Sequence, residues 1–186
     1  MRIAALTIAA CLAAAPAVAQ RETISATLSP EAANAAFNDA VITACIPAVS
    51  GNGMGGIPAP AKAKFAPTND VGTRRQAGAA ADETVWDALS ARGVVTIHEK
   101  KGRCVVSVYG PPAAPAIIGL AQVLSSSHGF ERLVGTVGAS VGGPEQSLQK
   151  TDGGKRLMVK LNASEPGMPG HASRFTVITA TVFLAS

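Results

Sequence analysis

The cysteines restrict the folds open to this chain more than any other feature of its sequence. There are three, Cys11, Cys45 and Cys104, and Cys11 lies in an apolar N-terminal leader. If the leader is removed on export, the remaining pair predicts a disulfide, because exported proteins oxidise their thiols in pairs. A Cys45–Cys104 bridge would close a loop of about 60 residues and stabilise the fold by about 4 kcal/mol. The alternative is a free thiol that acts in catalysis or binds a metal.

Residues 1–19 have the pattern of a secretory signal peptide. A positive charge near the N-terminus precedes an apolar run rich in Ala, Ile and Leu, and Ala17-Val18-Ala19 forms an A-x-A cleavage site. The run is shorter than the ~20 residues that a membrane span needs, and no later segment is long and apolar enough. We therefore predict a soluble, periplasmic or secreted protein that begins at Gln20 and has no integral membrane span.

An alternative processing site lies inside this leader. The sequence Ile8-Ala9-Ala10-Cys11 is similar to a bacterial lipobox, in which Cys11 would be lipidated and become the first residue of an anchored lipoprotein. Cleavage there would leave an apolar run of only about eight residues, at the short end of the range for signal peptides. The A-x-A site is therefore the favoured one.

The charge of the chain argues against nucleic acid as a partner. The formal net charge is +4, and the chain has one Trp and one Tyr. Its basic residues are dispersed rather than gathered in one stripe, and few aromatic rings are available to stack on bases. We therefore expect no nucleic acid partner, and only a weak attraction to anionic envelope surfaces.

The helical pattern is clearest in the segment after residue 28. Ser29-Pro30-Glu31 is a typical helix start, with a hydroxyl cap, a proline in the first turn and an acid near the positive end of the dipole. Apolar residues then recur at three- and four-residue spacing as far as Cys45, and Pro47 is expected to end the helix. Cys45 would thus lie in the last turn and point toward the core.

Two further helices are predicted along the chain. In the first, Asp82 is the cap, and Val85, Trp86 and Leu89 lie on one face, with Trp86 as a core anchor. The second covers residues 116–126, where apolar residues again recur at helical spacing.

Residues 51–75 are rich in Gly and Pro and show neither the helical nor the strand period. They predict a long surface loop, which is either a linker or a lid over a binding site. Residues 20–186 as a whole are expected to form a single domain, because this length suffices for one hydrophobic core.

Two β-hairpins and a final strand supply the predicted sheet. The first hairpin covers residues 94–110 and has Cys104 on its core-facing side. The second turns at the Asp-Gly-Gly of residues 152–154, and residues 174–185 form an apolar strand inside the sheet. Hairpins with intervening helices, without regular βαβ alternation, predict an α+β fold. The antiparallel sheet would be packed by about three helices on one side and fastened by a single disulfide.

No sequence motif of a known catalytic or cofactor site occurs in the chain. HExxH, Cys-x-x-Cys, GxSxG and Walker patterns are absent, so we assign no catalytic residue and expect no cofactor. His98 is expected to be a partly exposed strand residue. His128 is expected in the last turn of a helix, where a histidine suits the helix dipole.

A weak candidate for a metal site lies in the Pro/Gly-rich residues 165–171. Met168 and His171 are ligand types that exported copper proteins use. Met54, in the other long loop, is the obvious third donor. Since two ligands do not make a site, we favour an ordinary turn-rich connection and assign no metal.

Several short stretches resemble an uncharacterised group of proteins. Phe37 with the following Ala-Cys-Ile-Pro-Ala-Val, Trp86, and the stretch Gly-Arg-Cys-Val-Val-Ser-Val-Tyr-Gly around Cys104 are similar to small exported (lipo)proteins of Gram-negative bacteria. The resemblance covers residues 31–110 and implies an N-terminal helix that ends near a cysteine, a helix with Val and Trp, and a second cysteine on a strand. It implies no activity and no catalytic residues.

These features favour an exported, non-catalytic module that binds an envelope protein or a cell-wall component. Two alternatives remain open: a small periplasmic enzyme whose site is formed by scattered polar residues, and a metal carrier that uses the Met/His loop. A pocket that holds His98 or His128 with an acid would favour the enzyme. Convergence of Met54, Met168 and His171 would favour the carrier.

Overall fold

The computed structural model describes residues 28–100, 102–133, 139–140, 143–167 and 175–185. The leader with Cys11 and the loop residues Met168 and His171 lie outside these ranges, so what is predicted for them stays a prediction, as does the single domain over residues 20–186. Within the described ranges, buried apolar residues from helices and strands form one hydrophobic core cluster.

Four helices occur in the described residues. They are α1 (Pro30–Ser50), α2 (Ala59–Lys62), α3 (Val71–Gln76) and α4 (Ala113–His128), with single 3₁₀ turns at Met54–Gly56 and Leu89–Ala91. Ser29 caps α1 as its sequence predicts, by accepting a hydrogen bond of 3.2 Å from the N–H of Ala32. The predicted helix over residues 116–126 is confirmed as the middle of α4.

The described strands form an antiparallel sheet. They are β1 (Phe65–Pro67), β2 (Thr84–Ala88), β3 (Val95–Lys100), β4 (Arg103–Tyr109), β5 (Glu131–Arg132), β6 (Ala139–Ser140), β7 (Gly143–Asp152), β8 (Lys155–Ser164) and β9 (Val177–Ala185). The order is β1-β2-β3-β4-β9-β8-β7-β5, with β6 paired to β7 outside this order. The predicted α+β fold is confirmed, and so is the interior position of the final strand, since β9 lies between β4 and β8.

Both predicted hairpins are present. The first joins β3 to β4 and the second joins β7 to β8, where Asp152 lies opposite Lys155. In the second turn, Gly153 and Gly154 have φ of 55° and 76°. A type I′ turn, one of the two-residue turns that match the twist of their strands, needs positive φ at both central positions, which favours two glycines here.

Helices α1, α2 and α4 cover one face of the sheet. α1 packs on β3, β4 and β9, α4 packs on β5, β7, β8 and β9, and α2 contacts α1 and β1. Fully buried side chains fill the space between these layers, among them Phe37, Leu120, Leu124, Val106 and Leu161. The prediction of about three helices on one side is therefore confirmed.

The first helix runs past Pro47 to Ser50, so the prediction that Pro47 ends it is wrong. A proline inside a helix lacks an N–H, and its ring collides with the carbonyl of the residue four positions earlier. Here Ala40–Cys45 form a π-helical turn, in which the N–H of Ile46 donates to the carbonyl of Val41. The wider turn makes room for the proline, and the helix continues.

Of the helices in the described ranges, α1 alone has the length and apolar composition that could cross a membrane. Core helices of soluble proteins and signal sequences have the same properties. In this fold Phe37, Val41 and Ala44 bury the apolar face of α1 in the core. Packing on the sheet thus accounts for its composition.

Residues 84–88 form strand β2 and not the helix predicted over Val85, Trp86 and Leu89. Val85 lies opposite His98 and Trp86 lies opposite Ile97, so these consecutive apolar residues point to opposite faces of the sheet. Both faces are covered at this position, and a short apolar run of this kind fits a helix and a buried strand equally well. Trp86 packs against the core cluster, as expected of a core anchor.

Residues 51–75 do not form the predicted long surface loop. They contain a 3₁₀ turn, α2, β1 and most of α3, and they bury Met54, Ile57 and Phe65 in the core. These elements have between three and six residues, too few to repeat a helical or strand period. Their conformation is decided by contacts with α1 and β2.

Candidate functional site

The disulfide joins the first helix to a central strand. Cys45 lies in the π-helical turn of α1 and Cys104 in β4, with 5.4 Å between their Cα atoms. Both residues are buried in the core, and the predicted Cys45–Cys104 bridge is confirmed. A bridged cysteine has no thiolate to act as nucleophile or metal ligand, so this pair is structural.

A turn that buries Met54 is fastened to the sheet beside the disulfide. Glu99 lies opposite Cys104 in the β3–β4 ladder, and its Oε1 accepts a hydrogen bond of 2.9 Å from the backbone N–H of Met54. Gly53 has φ of 72° and ψ of −171°, a conformation that essentially only glycine adopts. A Cβ at Gly53 would also collide with Oε1 of Glu99. A glycine and a carboxylate distant in sequence thus specify this turn together.

Met54, the third of the candidate metal ligands, is fully buried. Its side chain packs in the apolar core cluster and not on a surface loop. Met168 and His171 lie outside the described residues, so the convergence of the three is untested. Among the residues that the structure describes, no group of three or more His, Cys, Asp and Glu side chains could hold a metal ion.

A segment that we call the strap, residues 68–83, connects β1 to β2 and contacts the face of the sheet opposite to α1. It contains α3 and ends immediately before the first residue of β2. Two of its residues contact the ring of His98 on β3: Ala77, which directly follows α3, and Glu83, the last residue of the strap. His98 points to this face because its neighbours Ile97 and Glu99 point toward α1, and side chains alternate along a strand.

His98 is buried, with 3% of its surface exposed, and the prediction of a partly exposed strand residue is wrong. Its Nδ1 lies 3.1 Å from the carbonyl oxygen of Ala77, and its Nε2 lies 2.8 Å from Oε2 of Glu83. Neighbouring residues in the sequence give no sign of these contacts, because the path of the strap alone brings Ala77 and Glu83 to β3.

Glu83 is the charged centre of this cluster. Its Oε2 accepts a hydrogen bond of 2.7 Å from the N–H of Ala80, and its Oε1 lies 3.3 Å from Nζ of Lys100. The N–H of Ala80, supported by His98 and Lys100, lowers the pKa of Glu83 from 4.5 to about 2, although burial acts in the opposite direction. Glu83 is therefore an ionised carboxylate at all ordinary pH values.

The His98–Glu83 pair supplies a histidine with an acid but not the pocket that an enzyme would need. Both ring nitrogens of His98 are occupied by protein oxygens, so neither is within reach of a substrate proton. His128 is the last residue of α4 and is half-buried, where the helix dipole favours it as predicted. In the described part of the chain, neither histidine is part of an open catalytic arrangement.

A groove of about 290 Å³ opens where the β7–β8 hairpin meets the end of α1. Leu157 and Leu184, cross-strand neighbours on β8 and β9, form its apolar floor, and Leu184 keeps 36% of its surface exposed. Ser50, Asp152 and Lys155 form the polar rim. Sequence reasoning missed this groove because its lining comes from α1, β7, β8 and β9, and no local motif marks it.

Four basic residues lie at the end of the sheet where the groove opens. The strand register places Arg103 of β4, Lys150 of β7, and Lys155 and Arg156 of β8 at one end of the sheet. We call this the hairpin end, because both hairpins turn there. Asp152 is the acid on the rim of the groove. Because side chains alternate along a strand, Lys150 and Lys155 share the face of Leu157 and the groove, whereas Arg103 and Arg156 point to the other face. Two lysines and one acid on the face of the groove leave a positive charge beside it, although these residues look dispersed along the sequence.

Comparisons of the chain with protein families, curated proteins and solved structures found no match. The resemblance to small exported (lipo)proteins of Gram-negative bacteria therefore stays a prediction. Function has to be inferred from the groove, the strap and the disulfide themselves.

Proposed function

We propose that this protein is exported and acts as a non-catalytic binding module, which engages a protein of the cell envelope through its hairpin end. The groove at this end carries the proposal, because Leu184, beside the buried Leu157, exposes apolar surface on its floor. Such a floor suits an apolar side chain of a partner protein better than a polar cell-wall polymer. The basic residues around it favour a partner with acidic residues near that side chain.

Two observations support the exported location. The disulfide is compatible with an oxidising compartment, where such bonds persist. The leader, residues 1–19, has the A-x-A cleavage pattern of a signal peptide. Both point to the periplasm or the external medium.

The signal peptide is expected to be cleaved between Ala19 and Gln20. The mature protein, isolated from the periplasm of a Gram-negative host, should have the intact mass of residues 20–186 less two hydrogen atoms for the bridge between Cys45 and Cys104. A species that begins at an acylated Cys11 would contradict this and make the protein an anchored lipoprotein.

The binding surface can be tested by charge reversal. An envelope partner is captured with the mature protein, identified and purified, and its Kd is then measured for variants, because capture alone does not locate a surface. Lys150→Glu combined with Lys155→Glu is expected to weaken binding by tenfold or more, since like charges would then face the acidic partner. The loss should shrink at high salt, as rim electrostatics are screened.

Matched controls separate the hairpin end from general charge. Arg75→Glu combined with Arg92→Glu changes the net charge equally, at exposed residues away from this end, and should bind normally. For the apolar floor, Leu184→Asp is compared with Ile118→Asp, because Ile118 is an exposed residue of α4. Equal losses in the hairpin-end variants and in their controls would rule out this surface. If the mature protein binds isolated cell wall and captures no protein, its partner is a cell-wall component and the proposed protein partner is wrong.

A further inference from the structure

His98 has a protonation state that its two contacts determine. A backbone carbonyl accepts hydrogen bonds but cannot donate them, and the same holds for an ionised carboxylate. Nδ1 must therefore donate to the carbonyl of Ala77, and Nε2 must donate to Oε2 of Glu83. A neutral imidazole has only one N–H, so both bonds exist together only when the ring is a charged imidazolium.

We propose that His98 is a pH-sensitive latch, which holds the strap on the sheet while its ring is protonated and loosens the strap when the ring becomes neutral. The bond to Glu83 is charge-assisted and the shorter of the two, so a neutral ring would keep its N–H on Nε2. Nδ1 would then turn a lone pair toward the carbonyl oxygen of Ala77. The contact at the end of α3 would become repulsive.

The charged groups around His98 set the direction of this response. Glu83 faces the ring from the strap, and Lys100 follows on the same face of β3 and contacts Glu83. The residues opposite His98 on the neighbouring strands, Val85 of β2 and Val105 of β4, carry no charge. Beyond these, Asp87 of β2 accepts a hydrogen bond from the N–H of Gly93, and Arg103 of β4 lies opposite Lys100 on the face of His98. Within the strap, Arg74 donates hydrogen bonds to the carbonyls of Ala80 and Ala81.

The latch therefore opens on the alkaline side. Glu83 remains ionised down to about pH 2, so acid does not break its bond to the ring above that value. Histidine is the side chain that changes charge between about pH 5 and 8. The stabilisation that the imidazolium of His98 gives to the strap is thus present at acid pH and is lost as the pH rises.

Loosening of the strap would uncover a specific part of the sheet. Val85, directly opposite His98, has no exposed surface while the strap is closed. The face is distinct from the groove of the hairpin end, so the latch does not depend on the proposed function.

Hydrogen exchange of the full mature protein, with the disulfide intact, tests the latch. Amide exchange is followed by mass spectrometry at a series of pH values from about 5 to about 8, across the histidine range, and corrected for the intrinsic effect of pH. Amides of residues 77–83 are expected to lose about tenfold in protection at the highest pH, as loss of one hydrogen bond implies. Amides of α4 should show no such change. Equal protection of the strap at all pH values would overturn the proposal.

Two variants assign the effect to the latch. His98→Gln should leave the strap weakly protected at all pH values, whereas His128→Gln, the matched control, should keep the wild-type response. Glu83→Gln retains an acceptor oxygen but removes the charge that favours the imidazolium, so the midpoint of opening should fall by about one pH unit. If His98→Gln does not fold, the pH midpoint of strap opening in Glu83→Gln is the deciding measurement. A pH response that persists in His98→Gln, or a midpoint that Glu83→Gln leaves in place, would refute the latch.

Discussion

Cys104→Ser is expected to lower the free energy of unfolding by about 4 kcal/mol. The bridge joins residues that are 59 apart in the sequence, and without it the unfolded chain regains the conformational entropy of a loop of that length. The bridge also ties α1 to β4 in the middle of the core. Urea unfolding of the mature protein, followed by the fluorescence of Trp86, measures the loss.

Two comparisons distinguish the bridge from the serine itself. Reduction of the wild-type protein breaks the same bond without a change of sequence and should give a similar loss. Cys45→Ser should cost about as much as Cys104→Ser, and the double variant little more than either, because each single change already removes the shared bond. Two thiols that react freely in the unreduced, denatured protein would show that the bridge does not form.

Gly53→Ala is expected to cost about 3 kcal/mol, the second largest effect among these variants. The backbone of Gly53 has φ of 72° and ψ of −171°, and holding another residue there costs about 1–3 kcal/mol. The new methyl group would also displace the carboxylate of Glu99. Its hydrogen bond with the N–H of the buried Met54 would then be lost, at about 1–3 kcal/mol. The same urea unfolding experiment measures the sum.

Gly78→Ala is the matched control for backbone strain. Gly78 has φ of 64°, and a Cβ there would meet no atom within 4 Å, so only the strain of about 1–2 kcal/mol is expected. Glu99→Ala tests the collision, because combined with Gly53→Ala it should cost less than the sum of the two single changes. Equal losses for the two glycine variants, or strict additivity with Glu99→Ala, would contradict the role of the carboxylate.

Elements with a local signal could be predicted from the sequence. Ser29 and Pro30 start α1 because a cap and a first-turn proline act within four residues. Gly153 and Gly154 define a hairpin because their positive φ is a property of the turn alone. The alternation around Cys104 placed its thiol on the core face, and the even count of cysteines then implied its partner, Cys45.

Elements without a local signal were predicted wrongly. Val85 and Trp86 lie in a strand because other parts of the chain cover both faces of β2. The five residues of β2 cannot show by themselves what will cover them. Pro47 does not end α1, since a π-helical turn before it absorbs the proline. Residues 51–75 contain elements that exist only because Met54 and Phe65 are held in the core.

Neither candidate site could be found from the sequence. In the sequence, His98 and Glu83 are separated by the whole of β2. No sequence motif around either residue predicts that the two are in contact. The basic residues of the hairpin end look scattered along the chain. They lie at one end of the sheet because both hairpins turn there, with Lys150 and Lys155 on the face of the groove and Arg103 and Arg156 on the other.

The sequence by itself determined the cysteine pair, both hairpins, the start of the first helix and the α+β class. Each of these depends on the chemistry of a few adjacent residues or on their number. Tertiary structure alone decided that His98 is buried against Ala77 and Glu83, that Glu99 closes the turn at Gly53, and that Leu184 lies in a groove with Asp152 and Lys155 on its rim. These properties depend on burial and on distances between separate strands, and such distances are set when the whole sheet has formed.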